Sequence, residues 1–215
     1  MKVAIVHDYL KEYGGAERVV ETLLEIWPKA EVFTTIYSPE FLGPHRERVA
    51  KWKIHTSFLN KIPFKNKLIS AFRLLGPWVF KTFDLSKFDV VIVSQAGTFV
   101  SPNIIKKNIN CTQITYCHTP PRWLYGFKTA GNWEVGIKKL IRDIFGKIPM
   151  NILRNIDYKA AQLPDFYIAN SNEVADRIKK FYHRDSVVIY PPVETPEVSR
   201  EVHSRGVHPI DKARI

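Results

Sequence analysis

Short runs of β-branched and other apolar residues alternate along the chain with stretches whose apolar positions recur at helical spacing. Val3-Ala4-Ile5-Val6 is an unbroken apolar run and predicts a buried strand from Val3 to His7. Gly14-Gly15 come next, and Val19, Val20, Leu23, Leu24 and Trp27 then mark one face of a helix that ends at Pro28. The same reasoning predicts strands over 31–37, 53–57, 89–95, 112–118, 165–171 and 186–193. Leu68, Ile69, Phe72 and Leu75 share a helical face before Gly76-Pro77 breaks it. A helix over about 133–162 carries Ile137, Leu140, Ile141, Ile144, Phe145 and Ile148 in phase, with a kink at Pro149. Another begins near Ser171-Asn172, a good N-cap pair, with Val174, Ile178 and Phe181 on one face. Strands alternating with helices imply an α/β fold: a Rossmann-like parallel sheet with helices on both faces, its strand order unspecified. Apolar periodicity fades after Pro191-Pro192, so residues 1–194 read as one domain and 195–215 as a tail or linker.

Composition narrows the class. With 45% hydrophobic and 25% charged residues among 215, wholesale disorder is excluded. No apolar run approaches the length of a membrane-spanning helix. Lys2 is followed by only four apolar residues before His7-Asp8, too short for a secretory h-region, and the expected location is cytoplasmic. Cys111 and Cys117 on one strand would lie roughly 20 Å apart, so they cannot pair and read as buried reduced thiols. No Cys-x-x-Cys or Asp-x-Asp pair suggests a metal.

The net charge is +11, and its distribution matters more than its size. Between Lys51 and Phe83 stand seven basic residues and seven aromatics with no acid. A basic, aromatic, amphipathic segment of this kind suits an anionic membrane surface, with Lys61, Lys65, Lys67, Phe72, Arg73 and Trp78 as the contact candidates. Packing of the same apolar face against a sheet is the alternative. No helix-turn-helix, RNP-type or zinc-finger pattern accompanies the charge, so nucleic acid is not an expected partner.

Two segments carry candidate chemistry. In HDYLKEYGGAERVV a strand feeds a Gly-Gly turn and a helix, and Gly14 and Gly15 allow a diphosphate to approach the helix N-terminus. The pattern is neither G-x-G-x-x-G nor a P-loop, which argues against a dehydrogenase and a nucleoside triphosphatase. In CHTPPRWLYG, His118 falls at the C-terminal end of a predicted strand, where open α/β sheets place their ligands. Glu17 and Glu25 stand eight residues apart on one helix, about 12 Å along its axis, and are expected on the surface.

Three segments in this order, HDYLKEYGGAERVVETL, YCHTPPRWLYG and ANSNEVADRIKKFYHRDSVVIYPPVE, resemble the N-terminal half of a family 4 retaining glycosyltransferase of GT-B fold. The likeness is to mannosyltransferase-type enzymes that build bacterial surface polysaccharides. The resemblance implies an acceptor-binding domain whose Gly14-Gly15 turn faces the donor diphosphate. It implies that His118 lies against the donor sugar and its oxocarbenium-like transition state, and that Arg122 and Trp123 line the acceptor side. It further implies a nucleotide-sugar donor as substrate, no cofactor and no metal, and a lipid-linked or glycan acceptor. The protein would then sit peripherally at the inner face of the membrane. The family's donor-binding C-terminal domain has no counterpart in these 215 residues. Two expectations follow: little or no transfer by this chain alone, with a separate C-terminal half as partner, or a non-catalytic membrane-, glycan- or partner-binding module.

Overall fold

The computed structural model describes residues 1–127 and 150–193. Its first strand, β1 (Val3–His7), is buried at all five positions, as a strand covered on both faces must be. Alternate side chains go to opposite sides of the sheet. Val3 and Ile5 join Val20, Val32 and Ile92 in one core, while Ala4 and Val6 join Phe33, Phe80, Val91 and Val93 in the other. The chain continues through α1 (Gly15–Ile26), β2 (Glu31–Thr34), α2 (Arg46–Val49), β3 (Ile54–Thr56), α3 (Lys65–Phe72) and α4 (Gly76–Lys81). Then come β4 (Val90–Gln95), β5 (Thr112–Cys117), α5 (Met150–Ala160), β6 (Phe166–Ala169), α6 (Asn172–Tyr182) and β7 (Val187–Val188).

The seven strands form one parallel sheet in the order β3-β2-β1-β4-β5-β6-β7. This is the Rossmann-like α/β architecture expected from the alternation of elements. From β1 the chain winds outward through β2 and β3 on one side, and through β4 to β7 on the other. The C-terminal ends of β1 and β4 therefore flank the point where the winding reverses, the usual ligand crevice of such sheets. In register, His7 pairs with Ser94, and Gln95 pairs with Cys117, so His118 leaves β5 beside them.

Local signals explain most boundaries. The Ser171 hydroxyl accepts from Val174 N at 3.3 Å, and Val174 and Ile178 are buried beneath α6. Strand β2 stops at Thr34, short of the expected 37, because Thr35 N turns to Asp8 O (3.3 Å). Only Val187 and Val188 of the predicted 186–193 strand pair in register, one more ladder bond runs from Ile189 N to Ala169 O (3.0 Å), and Pro191 and Pro192 have no amide with which to continue it. Gly76-Pro77 does not end helical structure. A 3-10 turn at Arg73–Leu75 leads directly into α4, whose first turn tolerates Pro77 because its missing N–H would have no partner there. Gly76 is required by contact: an added Cβ would stand 2.0 Å from Val100 O. Cys111 and Cys117 are buried and free, as expected. Among the described residues no helix is long and apolar enough to cross a membrane. The expected helix over 133–149, its kink at Pro149 and the 195–215 tail lie outside the described residues.

Much of the basic-aromatic segment turns inward. Phe72, Val79, Phe80 and Phe83 belong to the core that also holds Ala4 and Val6. Phe72, 7% exposed, is therefore corrected from membrane contact to core: the sheet covers the face that periodicity identified. Lys65 Nζ donates to Tyr37 O (2.8 Å) and Asn60 Oδ1 (2.6 Å) and anchors a loop. The Arg73 guanidinium is half-buried and stacks over Trp123 at 4.2 Å. Lys61, Lys67 and Trp78 do face outward, as do Phe58 and Phe64, and Lys67 Nζ lies 5.9 Å from the Phe64 ring centroid.

Candidate functional site

Three side chains meet where β1, β4 and β5 end. Ser94 Oγ lies 3.0 Å from His7 Nδ1 and 3.1 Å from His118 Nε2. On the far side of His7, Nε2 faces Glu17 Oε1 at 3.2 Å. The other oxygen, Glu17 Oε2, accepts the Gly14 amide at 2.8 Å. A continuous line of hydrogen-bonding groups thus runs from the Gly-Gly turn through Glu17, His7 and Ser94 to His118. Sheet register creates it: His7 and Ser94 are paired positions, and His118 is the first residue past β5.

Glu17 is corrected from the surface to the interior. It is 5% exposed, because it occupies the third position of α1 and folds back onto the helix's own N-cap. Glu25 is exposed as expected. The same contact changes the reading of Gly14, whose amide is already committed to Glu17. The next amides, of Gly15 and Ala16, belong to the first helical turn, whose donors have no intrahelical acceptors. A Cβ on Gly15 would meet nothing within 4 Å, so that side of the turn is open.

The electrostatics follow from burial. Burial opposes charge on His7, but the Glu17 hydrogen bond and charge outweigh it and raise its pKa above 6.5. Burial would likewise raise Glu17, yet its bond to His7 and that ring's charge hold it below the ordinary carboxylate value. His118 moves the other way. Burial, and then the charge on His7, lower it to about 4, so it is neutral at physiological pH.

Buried acids fix the loops around this line. Asp8 Oδ2 accepts from Thr98 N (2.9 Å) and Phe99 N (3.3 Å), holding the loop after β4. Its burial raises its pKa to about 6 against the pull of His7 and those amides, and Oδ1 is buried with no hydrogen-bond partner among the described residues. Gly97 in that loop (φ 84°) packs under Thr119, where an added Cβ would lie 2.7 Å from Thr119 O. Thr119 Oγ1 in turn accepts from Arg177 of α6 at 3.1 Å. Deeper, Asp157 of α5 accepts from Ser101 N (2.9 Å) and from the hydroxyls of Tyr125 (3.0 Å) and Tyr182 (2.9 Å).

The remaining candidates disperse. Trp123 donates Nε1–H to Thr98 O at 3.2 Å and carries Arg73 on its face, so it joins the loop after β4 to the 3-10 turn between α3 and α4. Arg122 is exposed. Among the described residues no three His, Cys, Asp or Glu side chains cluster as a metal site. Sequence reasoning singled out His118 but not His7, Ser94 or Glu17. The Gly14-x-x-Glu17 spacing of a capping box was the one local signal for Glu17.

No curated protein matches the chain. A solved structure, HepE (Alr3699) of Anabaena in complex with UDP, superposes with a TM-score of 0.50 at 13% identity. The match covers 90% of this chain but 45% of HepE, so the chain spans less than half the length of that relative. The likeness is one of fold, consistent with GT-B architecture. The sequence pattern of Glycosyltransferase Family 4 matches residues 13–197, most of the length from the glycine turn through the last strand, and the chain belongs to that family.

Proposed function

We propose that this chain is the acceptor-side half of a retaining glycosyltransferase. It would serve transfer of a mannose-like sugar from a nucleotide-sugar donor to a lipid-linked or polysaccharide acceptor. The observation that carries the reading is the juxtaposition of neutral His118 with the open N-terminus of α1 across the strand-order reversal. Amides of Gly15 and Ala16 suit a diphosphate, and an imidazole two strands away, past β4, suits the sugar attached to it. HepE, a structural relative, was solved with UDP, which supports a nucleotide-linked donor. Arg122, exposed beside Trp123, is assigned to the acceptor side.

The outward-facing Lys61, Lys67, Phe58, Phe64 and Trp78 support a peripheral contact with an anionic membrane carrying the acceptor. A non-catalytic binding module derived from this domain would share that surface and have no use for His118.

The test is transfer of radiolabelled sugar from UDP- and GDP-linked donors to a lipid acceptor. We expect no turnover by the 215-residue chain alone and turnover once a family donor-binding domain is joined to it. His118→Ala should then lower kcat by about 100-fold or more, the scale of losing one transition-state donor. Full activity of His118→Ala in the joined protein would sink the assignment, and turnover by the chain alone would show that its donor site is complete.

A further inference from the structure

We propose that Glu17, His7 and Ser94 form a relay that dictates which ring nitrogen of His118 carries its proton. The inference rests on the reading of His118 as the group facing the donor sugar, and goes beyond it by naming three residues that act through His118.

The physical constraint is the single proton of the Ser94 hydroxyl. Ser94 Oγ stands between two imidazoles, 3.0 Å from His7 Nδ1 and 3.1 Å from His118 Nε2, and can donate to only one of them. His7 decides which. Its Nε2 faces an ionised carboxylate that can only accept, so Nε2 carries a proton. When His7 is a cation, Nδ1 also carries one and donates it to Ser94. Ser94 must then give its own proton to His118 Nε2, which leaves His118 with a proton on Nδ1 alone. When His7 is neutral, its bare Nδ1 takes the Ser94 proton. The Ser94 oxygen then accepts from His118 Nε2–H, and Nδ1 of His118 is left bare.

The surroundings favour the first arrangement. Glu17, from α1, is kept ionised by His7 and by the Gly14 amide at 2.8 Å. Asp8, next to His7 on the chain, adds a second negative influence on the ring. Ser94 from β4 carries no charge, and His118, past the end of β5, is neutral. These neighbours favour the charged form of His7 over the neutral one. His118 therefore turns an N–H donor, not a bare nitrogen, toward any oxygen of a ligand at Nδ1, an atom without a partner among the described residues. Because Glu17 also holds the Gly14 amide, the glycine turn and the protonation state of His118 share one carboxylate.

Nuclear magnetic resonance of the complete chain labelled with 15N-histidine reads this directly, since bare, N–H and doubly protonated imidazole nitrogens resonate apart. His7→Asn and His118→Gln assign the two rings among the seven histidines. At pH 7 the wild type should show His7 doubly protonated and His118 protonated at Nδ1. Glu17→Gln should neutralise His7 and move the His118 proton to Nε2. Ser94→Ala should release His118 to the tautomer mixture of free imidazole, and Ser94→Thr, which keeps the hydroxyl, should restore Nδ1–H. Raising the pH of the wild type through the His7 titration should switch His118 in step, a readout that survives if a variant fails to fold. A wild-type His118 protonated at Nε2, or a tautomer unmoved by His7 deprotonation, overturns the relay. These spectra need no sugar and no second domain. Failure here leaves the transferase reading intact, and failure of transfer leaves the relay intact.

Discussion

Gly76→Ala is expected to destabilise the protein severely although alanine is the better helix former. The new Cβ would stand 2.0 Å from Val100 O, 3.0 Å from Val100 C and 3.2 Å from Val100 N. Real Cβ contacts essentially never fall below 3.0 Å, so backbone must move by about 1 Å. That movement is resisted. Val100 N donates to Arg73 O at 3.0 Å, Asp8 holds the amides of Thr98 and Phe99, and Asp157 holds that of Ser101. Overpacking costs about 1–3 kcal/mol. Disrupting the Val100–Arg73 bond inside the core adds about 1 kcal/mol, and helix propensity returns less than about 1 kcal/mol. The net is about 2–3 kcal/mol, which lowers Tm by about 4–12 °C for a chain of this length. Thermal and urea denaturation followed by circular dichroism measure it, with Gly15→Ala as control because its Cβ meets nothing within 4 Å. The control should stay within about 0.5 kcal/mol of wild type. A Gly76→Ala protein melting within about 2 °C of wild type would refute the reasoning.

Two further outcomes follow from named contacts. Asp157→Ala strips the acceptor from Ser101, Tyr125 and Tyr182 and should cost about 3–5 kcal/mol in urea denaturation, whereas Asp157→Asn, which keeps an acceptor oxygen, should cost less. An alanine variant within about 1 kcal/mol of wild type would show the network to be dispensable. In flotation with anionic vesicles, Lys61→Glu/Lys67→Glu should weaken binding by about 30-fold or more, at about 1 kcal/mol per lysine removed. Equal flotation of wild type and variant would remove the membrane contact.

Legibility in the sequence tracked how local each signal is. β1 announces itself as consecutive apolar residues, and α6 by a Ser171 cap ahead of Val174 and Ile178. His118 is legible from position alone, at a strand end before two prolines. Phe72 misleads because periodicity tells which residues share a face but not what covers it. Glu17 misleads because a carboxylate in a first helical turn normally faces water, and only the folded-back geometry of its cap buries it. Ser94 gives no local signal: its meaning is a partner 87 residues earlier, His7, supplied by strand order that periodicity does not encode.

That separation has a kinetic meaning. His7 and Glu17 are 10 residues apart and can meet as soon as β1 and α1 form, but His7 and Ser94 meet only when β4 docks beside β1. Parallel strands need a crossover between them, so loop closure precedes any stabilising contact. Refolding should therefore be slow for the chain's size, with His7, Ser94 and His118 coming together only as the sheet closes. A partly folded chain can hold a correct glycine turn and still have no site.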